Sequence, residues 1–233
     1  MPKKALTAEQ KREKERMREE KDRVFYRRAH RILAGFFRFT LRLRATGTEH
    51  LPKEGGCLIC SNHISAFDAI AIGAVTSRQP RFLAKKELFS VPVIGWLVRR
   101  LGAFSVDRGA SDVAAIRKII SVAANGEVVS IFPEGHRYAG ENPADTPIKS
   151  GAGMVALRAA CPVVPVAIRT KRQRYAFFRR VEMIFGEPIS PDMLCPEGLS
   201  GKEAYEAASE TIFSAICKLG GWEKSSPTAE EKK

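Results

Sequence analysis

The sequence lacks the features that mark several large protein classes. No window approaches ~20 uncharged apolar residues, so nothing in it reads as a bilayer span. It opens Met-Pro-Lys-Lys and runs straight into charge, without the apolar stretch of a signal peptide. Cysteine is sparse: Cys57, Cys60, Cys161, Cys195 and Cys217. An odd count in a chain of this length is not a disulfide framework and reads as reduced thiols in a cytosolic setting. Cys57 and Cys60 form a single C-x-x-C with no second pair to complete a zinc site. Glycine-rich phosphate loops of the G-x-G-x-x-G and G-x-x-x-x-G-K kinds are absent, which weakens nucleotide hydrolysis and dinucleotide redox chemistry. A G-x-S-x-G nucleophile elbow is also missing, which weakens a serine hydrolase.

What is present is a chain of 233 residues, 44% apolar, enough for one α/β domain and a short appendage. Its charge is lopsided, with 39 Lys and Arg against 26 Asp and Glu for a net +13. Residues 1–44 hold 15 of the basic and 6 of the acidic residues, so +9 of that excess lies in the first fifth. A basic end implies an anionic partner, whether nucleic acid, an anionic lipid surface or a phosphorylated substrate.

Residues 9–23 are almost wholly charged, with Glu13/Arg16, Glu15/Arg18 and Glu20/Arg23 three apart, and read as a solvated helix. Over residues 25–43, helical spacing puts Arg27, Arg28, Arg31, Arg38 and Arg42 within about 100° of arc. Phe25, Ile32, Leu33, Phe36, Phe37, Phe39 and Leu43 spread opposite. A cationic, aromatic-bearing amphipathic helix is what a membrane interface selects, although packing on the chain's own domain gives the same pattern. From Leu41 the pattern also alternates, so a strand can begin there. Beyond Gly47, strands are expected at 57–61, 81–84, 102–106, 127–132, 163–168 and 181–186. Helices are expected at 67–77, 87–100, 111–124, 151–160 and 201–219. That alternation predicts a single α/β domain with a largely parallel or mixed sheet flanked by helices. The divisions are 1–44 for the N-terminal helical segment, 45–222 for the domain and 223–233 for a loose polar tail.

Three clusters carry chemistry. In Ser61-Asn62-His63-Ile64-Ser65-Ala66-Phe67-Asp68, a histidine between a strand and a helix can act as a general base, and a carboxylate on its other ring nitrogen improves it. A five-residue offset turns about 140° on a continuous helix, so the two meet only if His63 precedes the helix and Asp68 lies in its first turn. Ser65 to Asp68 is also a capping-box-like signature, which would give Asp68 a local task. The second cluster, Gly102 to Gly109, ends in Asp107-Arg108, where an arginine suits a phosphate and a surface turn is the alternative. The third, Ile131-Phe132-Pro133-Glu134-Gly135-His136-Arg137, crowds ionisable groups into one turn, as an ion pair between Glu134 and Arg137, a substrate contact, or both.

Taken together and in order, these clusters resemble the glycerolipid acyltransferase family, most closely the 1-acylglycerol-3-phosphate acyltransferases. The family pattern N-H-x-x-x-x-D corresponds to Asn62-His63 through Asp68. Its D-R element, led by an apolar residue, corresponds to Phe104 through Arg108. F-P-E-G-x-R falls at Phe132 to Arg137, and V-P-V-A at Val164 to Ala167. Lys85-Lys86-Glu87-Leu88 also looks like the family's K-x-E-L stretch. The resemblance covers roughly residues 45–190 and departs at His136, where the family usually has Thr or Ser. It implies His63 as the base and Asp68 as its orienting partner. It also implies Arg108 and Arg137 on the acceptor's phosphate, Lys85 near the developing oxyanion, and Glu134 with Gly135 shaping the pocket. The implied donor is acyl-coenzyme A or acyl-carrier protein and the implied acceptor lysophosphatidate, giving phosphatidic acid, with another lysolipid or glycerol phosphate as the alternative acceptor; no cofactor, no metal and no nucleic acid are implied. The expected place of work is the cytoplasmic face of a membrane, met peripherally through residues 25–43. Arg169 to Arg180, basic and aromatic, is either a second membrane contact or a solvated hairpin. Rival readings are a basic nucleic-acid binder, a metal hydrolase using His63, Asp68, Glu134 and His136, and a scaffold without catalysis.

Overall fold

A computed structural model describes residues 7–106 and 113–225. Its first element, α1 (Ala8–Thr40), is one unbroken helix of 33 residues, about 50 Å at the usual rise. The chain then enters β1 (Arg44–Thr46), so the alternation from Leu41 does end in a strand. The remaining order is β2 (Cys57–Ser61), α2 (Asp68–Val75), β3 (Pro80–Lys85), α3 (Lys86–Ser90), α4 (Pro92–Arg100), β4 (Ala103–Val106), α5 (Val113–Ala124), β5 (Val128–Ile131), α6 (Gly151–Ala159), β6 (Val163–Thr170), β7 (Val181–Phe185) and α7 (Gly201–Gly220). The helix expected over 87–100 is two helices, because Val91 adopts extended backbone and Pro92 supplies the first turn of the second. Asp107 and Arg108 lie outside the described residues.

The seven strands form one sheet in the order β1-β7-β6-β2-β5-β3-β4. All neighbours are parallel except β6 and β7, which close an antiparallel hairpin. Strands buried on both faces need continuous apolar sequence, and β2 is buried at every position. Its alternation divides the core. Cys57 and Ile59 face one layer with Phe37 of α1, Leu41 just beyond it, and Ala71 and Ile72 of α2. Leu58 and Cys60 face the other, with Ile119, Ala156 and Ile212 of α5, α6 and α7. The two cysteines of the C-x-x-C therefore lie on opposite sides of the sheet, and all five cysteines are free thiols. Gly56 lets α5 approach β2, since a Cβ there would meet the Ala123 carbonyl at 1.8 Å.

Helix α1 is part of the domain as well as an appendage. Tyr26 Oη donates to the Gly73 carbonyl of α2 at 2.8 Å, and Phe37 and Leu41 are buried. Its apolar residues nevertheless divide, for Ile32 and Phe39 are each 73% exposed and Phe36 is 53% exposed. Both stripes thus exist on one helix. At the other end, Glu223 and Ser225 are tied to the loop at 142–145: Asn142 Nδ2 donates to the Glu223 carbonyl, and Ser225 donates through N and Oγ to Asp145. The tail expected to be loose from 223 is held through 225.

Candidate active site

Because β2, β3, β4 and β5 run parallel, the segments that follow them emerge along one edge of the sheet. That edge is where open α/β sheets place their sites. The adjacency of β2 and β5 is decisive. Their register pairs Cys60 with Ile131, so three residues further along each chain His63 comes beside Glu134. The His63 N–H donates to Glu134 Oε2, Tyr138 N–H donates to the His63 carbonyl at 2.8 Å, and the His63 and Phe132 rings stack with centroids 4.0 Å apart. Two motifs 71 residues apart in sequence build one pocket wall.

His63 lies in the loop after β2 and Asp68 is the first residue of α2, the arrangement their offset requires. His63 Nδ1 is 2.8 Å from Asp68 Oδ2. An ionised carboxylate only accepts, so Nδ1 carries the proton and Nε2 keeps its lone pair. Asp68 is fully buried. Its Oδ2 also accepts the N–H groups of Ile64 and Ser65 at 2.8 Å each. The local capping task and the partnership with His63 are therefore carried by the same oxygen. The His63 side chain is 13% exposed, and Nε2 is neither bonded to protein nor among the buried unpartnered atoms. A lone pair thus faces the site.

Asn62, fully buried, holds this loop to the sheet. Its amide donates to the Ile168 carbonyl at 3.0 Å and accepts the Ile168 N–H at 2.8 Å, continuing the β2–β6 ladder through a side chain.

Glu134 turns inward. Oε2 takes the His63 N–H and Oε1 the Thr146 hydroxyl at 2.7 Å, with 2% of the residue exposed. Burial pushes its carboxyl up to about 7; the two hydrogen bonds oppose this, and the charges of Asp68 and Glu141 add to it. No ion pair joins it to Arg137 among the described residues. Gly135 adopts φ +69°, the left-handed region, and its N–H closes the turn onto the Phe132 carbonyl at 3.0 Å. Lys85, at the end of β3, and His136 and Arg137, in the turn after β5, are exposed. The β3–β4 register ends at Lys85 against Val106, two residues before Arg108. His63, Asp68, Glu134 and His136 do not form a group able to hold a metal ion among the described residues.

The sequence reading missed Thr146, which no motif marks, and the placement of Tyr175 near Asp68. Tyr175 lay inside a stretch read only for its charge and aromatics. No spacing rule links residues 107 positions apart, so only the return of the β6–β7 connection could reveal it.

The acyltransferase family model matches residues 42–169, which hold every cluster described. The chain is 32% identical over 174 residues to a 1-acyl-sn-glycerol-3-phosphate acyltransferase of Bacillus subtilis (strain 168), covering 73% of this chain and 84% of that protein. An enzyme of the same name from Streptococcus pneumoniae is 29% identical over 174 residues, with 72% and 64% covered. The crystal structure of the 1-acyl-sn-glycerophosphate (LPA) acyltransferase PlsC from Thermotoga maritima shares the fold, with a TM-score of 0.58 at 24% identity over 89% of this chain and 81% of that one. The chain belongs to the acyltransferase family, as an enzyme whose named relatives work in phospholipid biosynthesis.

Proposed function

We propose that the enzyme transfers an acyl group from acyl-coenzyme A or acyl-carrier protein to the free hydroxyl of lysophosphatidate, giving phosphatidic acid. The observation that carries this reading is the His63–Asp68 pair, with one imidazole nitrogen fixed by a buried carboxylate and the other open. Nε2 takes the proton of the acceptor hydroxyl as its oxygen attacks the thioester carbon. Asp68 stabilises the imidazolium formed. The tetrahedral intermediate collapses as the C–S bond breaks, and the departing thiolate, from a thiol of pKa about 8.5, takes a proton back from His63. One base is enough, and no acyl-enzyme forms.

Lys85, Arg137 and Arg108 are assigned to the negative charge of acceptor and transition state, Arg137 and Arg108 to the phosphate and Lys85 to the oxyanion. A single oxyanion contact typically supplies about 2.7–4 kcal/mol. Glu134, out of the solvent, acts through the His63 backbone and Gly135 through the turn, so both shape the pocket.

The acceptor's long chain sits in a bilayer, and no helix among the described residues is long and apolar enough to cross one. The exposed stripe Ile32, Phe36 and Phe39 on α1, joined by the edge contact of Phe39 with Phe178, forms an apolar strip flanked by exposed Arg31, Arg38 and Arg42. It continues toward the site through Phe67, 54% exposed and in ring contact with Phe37. We assign this face to the surface of an anionic membrane, on its cytoplasmic side.

The test is thiol release from oleoyl-coenzyme A with lysophosphatidate in mixed micelles. Wild-type protein is expected to form phosphatidic acid, and His63→Ala to lose on the order of 10²–10⁴-fold or more. A His63→Ala variant with wild-type activity would falsify the assignment of the base.

A further inference from the structure

Two buried oxygens at the site have no hydrogen-bond partner in the structure. One is Asp68 Oδ1, the carboxylate oxygen left over by the three N–H donors; the other is the Tyr175 hydroxyl. Buried polar groups in folded proteins are paired with few exceptions. The two groups are neighbours: burial first, and then the Asp68 carboxylate beside it, raise the Tyr175 hydroxyl well above its usual pKa. Their chemistry is complementary, since a phenol donates and an ionised carboxylate oxygen can only accept.

Tyr175 is also held in place. It lies on the connection from β6 to β7 and packs against the core layer that contains Ile64, Phe37 and Leu41. That connection is anchored on both sides of it, by Gly140 N–H to the Gln173 carbonyl at 2.9 Å and by Phe178 N–H to the Thr40 carbonyl at 2.6 Å.

We propose that Tyr175 is a positioning residue for the acyl transfer: its hydroxyl donates to Asp68 Oδ1 and through that carboxylate holds the His63 imidazole in line. The proposal rests on the reading of His63 as base. The three N–H donors converge on one oxygen, so they leave the carboxylate free to pivot about Oδ2. A fourth donor on Oδ1 fixes the plane of the carboxylate. It also shares the Asp68 charge, which otherwise falls wholly on the Nδ1 side and favours the imidazolium. Glu134, on the His63 N–H, is a further titratable group against the pair, while Lys85 and Arg137 are exposed cations on the same edge of the sheet.

The experiment is Tyr175→Phe, which keeps the ring and its packing. It is measured beside wild type and His63→Ala for kcat and KM across pH. Solvent exchange of the His63 Nδ1 proton is followed by NMR, the signal being assigned by its absence in His63→Ala. The expected result is a fall in kcat on the order of 10-fold at nearly constant KM, with the acid limb of the rate profile moved up by about half a pH unit. The Nδ1 proton should exchange faster. In an Asp68→Asn background the same substitution should cost no further rate, because the two act as one unit. An unmoved acid limb with unchanged proton exchange overturns the proposal even if kcat falls. So does a further loss of similar size in the Asp68→Asn background. Should His63→Ala prove active, the base assignment fails separately, and proton exchange still reports on Tyr175.

Discussion

Replacing Glu134 by Gln separates the charge of this residue from its shape. The two carboxylate oxygens meet the His63 N–H and the Thr146 hydroxyl inside the protein. The Thr146 hydroxyl has a second acceptor in the Pro143 carbonyl at 2.8 Å. A glutamine can therefore accept the His63 N–H with its oxygen and donate its amide to Thr146, which turns its own proton to Pro143. All partners stay satisfied, and only the buried charge is removed. In the wild type, burial raises the carboxyl from an ordinary 4.5 to about 7. Between those values the folded state keeps a proton that the unfolded state has lost, so wild-type stability declines as pH rises through the window. Below 4.5 both states are protonated and the contribution is complete. The displacement corresponds to about 3 kcal/mol lost by pH 8. Glu134→Gln does not titrate. Urea unfolding of both proteins at pH 5, 6, 7 and 8 is expected to show the variant gaining on the wild type with rising pH, by up to about 3 kcal/mol. A difference that is constant across pH, or that grows in favour of the wild type, would refute the account of Glu134 as a carboxylate held against its burial.

Two further perturbations test other parts of the structure. Asn62→Ala leaves the Ile168 N–H and carbonyl buried without partners and is expected to cost about 2–5 kcal/mol in urea unfolding; a loss under about 1 kcal/mol would mean that water takes over the pairing. Ile32→Glu with Phe39→Glu alters two exposed residues of α1, each worth about 1.5–3 kcal/mol if buried in lipid. Flotation with anionic vesicles is expected to weaken on the order of 100-fold, with activity on a short-chain, water-soluble acceptor unchanged, and undiminished flotation would remove this face from the membrane reading.

Much of the fold was legible because the local signals agreed. The run Cys57 to Ser61 and the runs at 163–168 and 181–186 are apolar enough to be read as buried strands, and all three form. The break between α3 and α4 was less visible: Pro92 is tolerated in a first helical turn, so a periodic pattern runs through it without announcing two helices. In α1 the sequence showed an apolar set without showing its division. Phe37 and, just past the helix end, Leu41 are buried while Ile32, Phe36 and Phe39 are exposed; the exposed three lie about 100–160° around the helix from Phe37, and which side is covered depends on what packs beside it.

By itself the sequence determined the chemistry available: a histidine and an aspartate at an offset that works only across a strand-to-helix junction, basic residues at strand ends, and a glycine where the turn needs a left-handed backbone. Those are local facts, set by covalent spacing and backbone sterics. Tertiary structure decided which of these groups meet. Parallel pairing of β2 with β5, in the register Cys60 to Ile131, brings Glu134 to the His63 backbone rather than to Arg137 or the solvent. The β6–β7 hairpin returns Tyr175 to Asp68 from 107 residues away. Strand order and register are properties of the whole sheet, fixed by the joint burial of both its faces, and no window of sequence contains them.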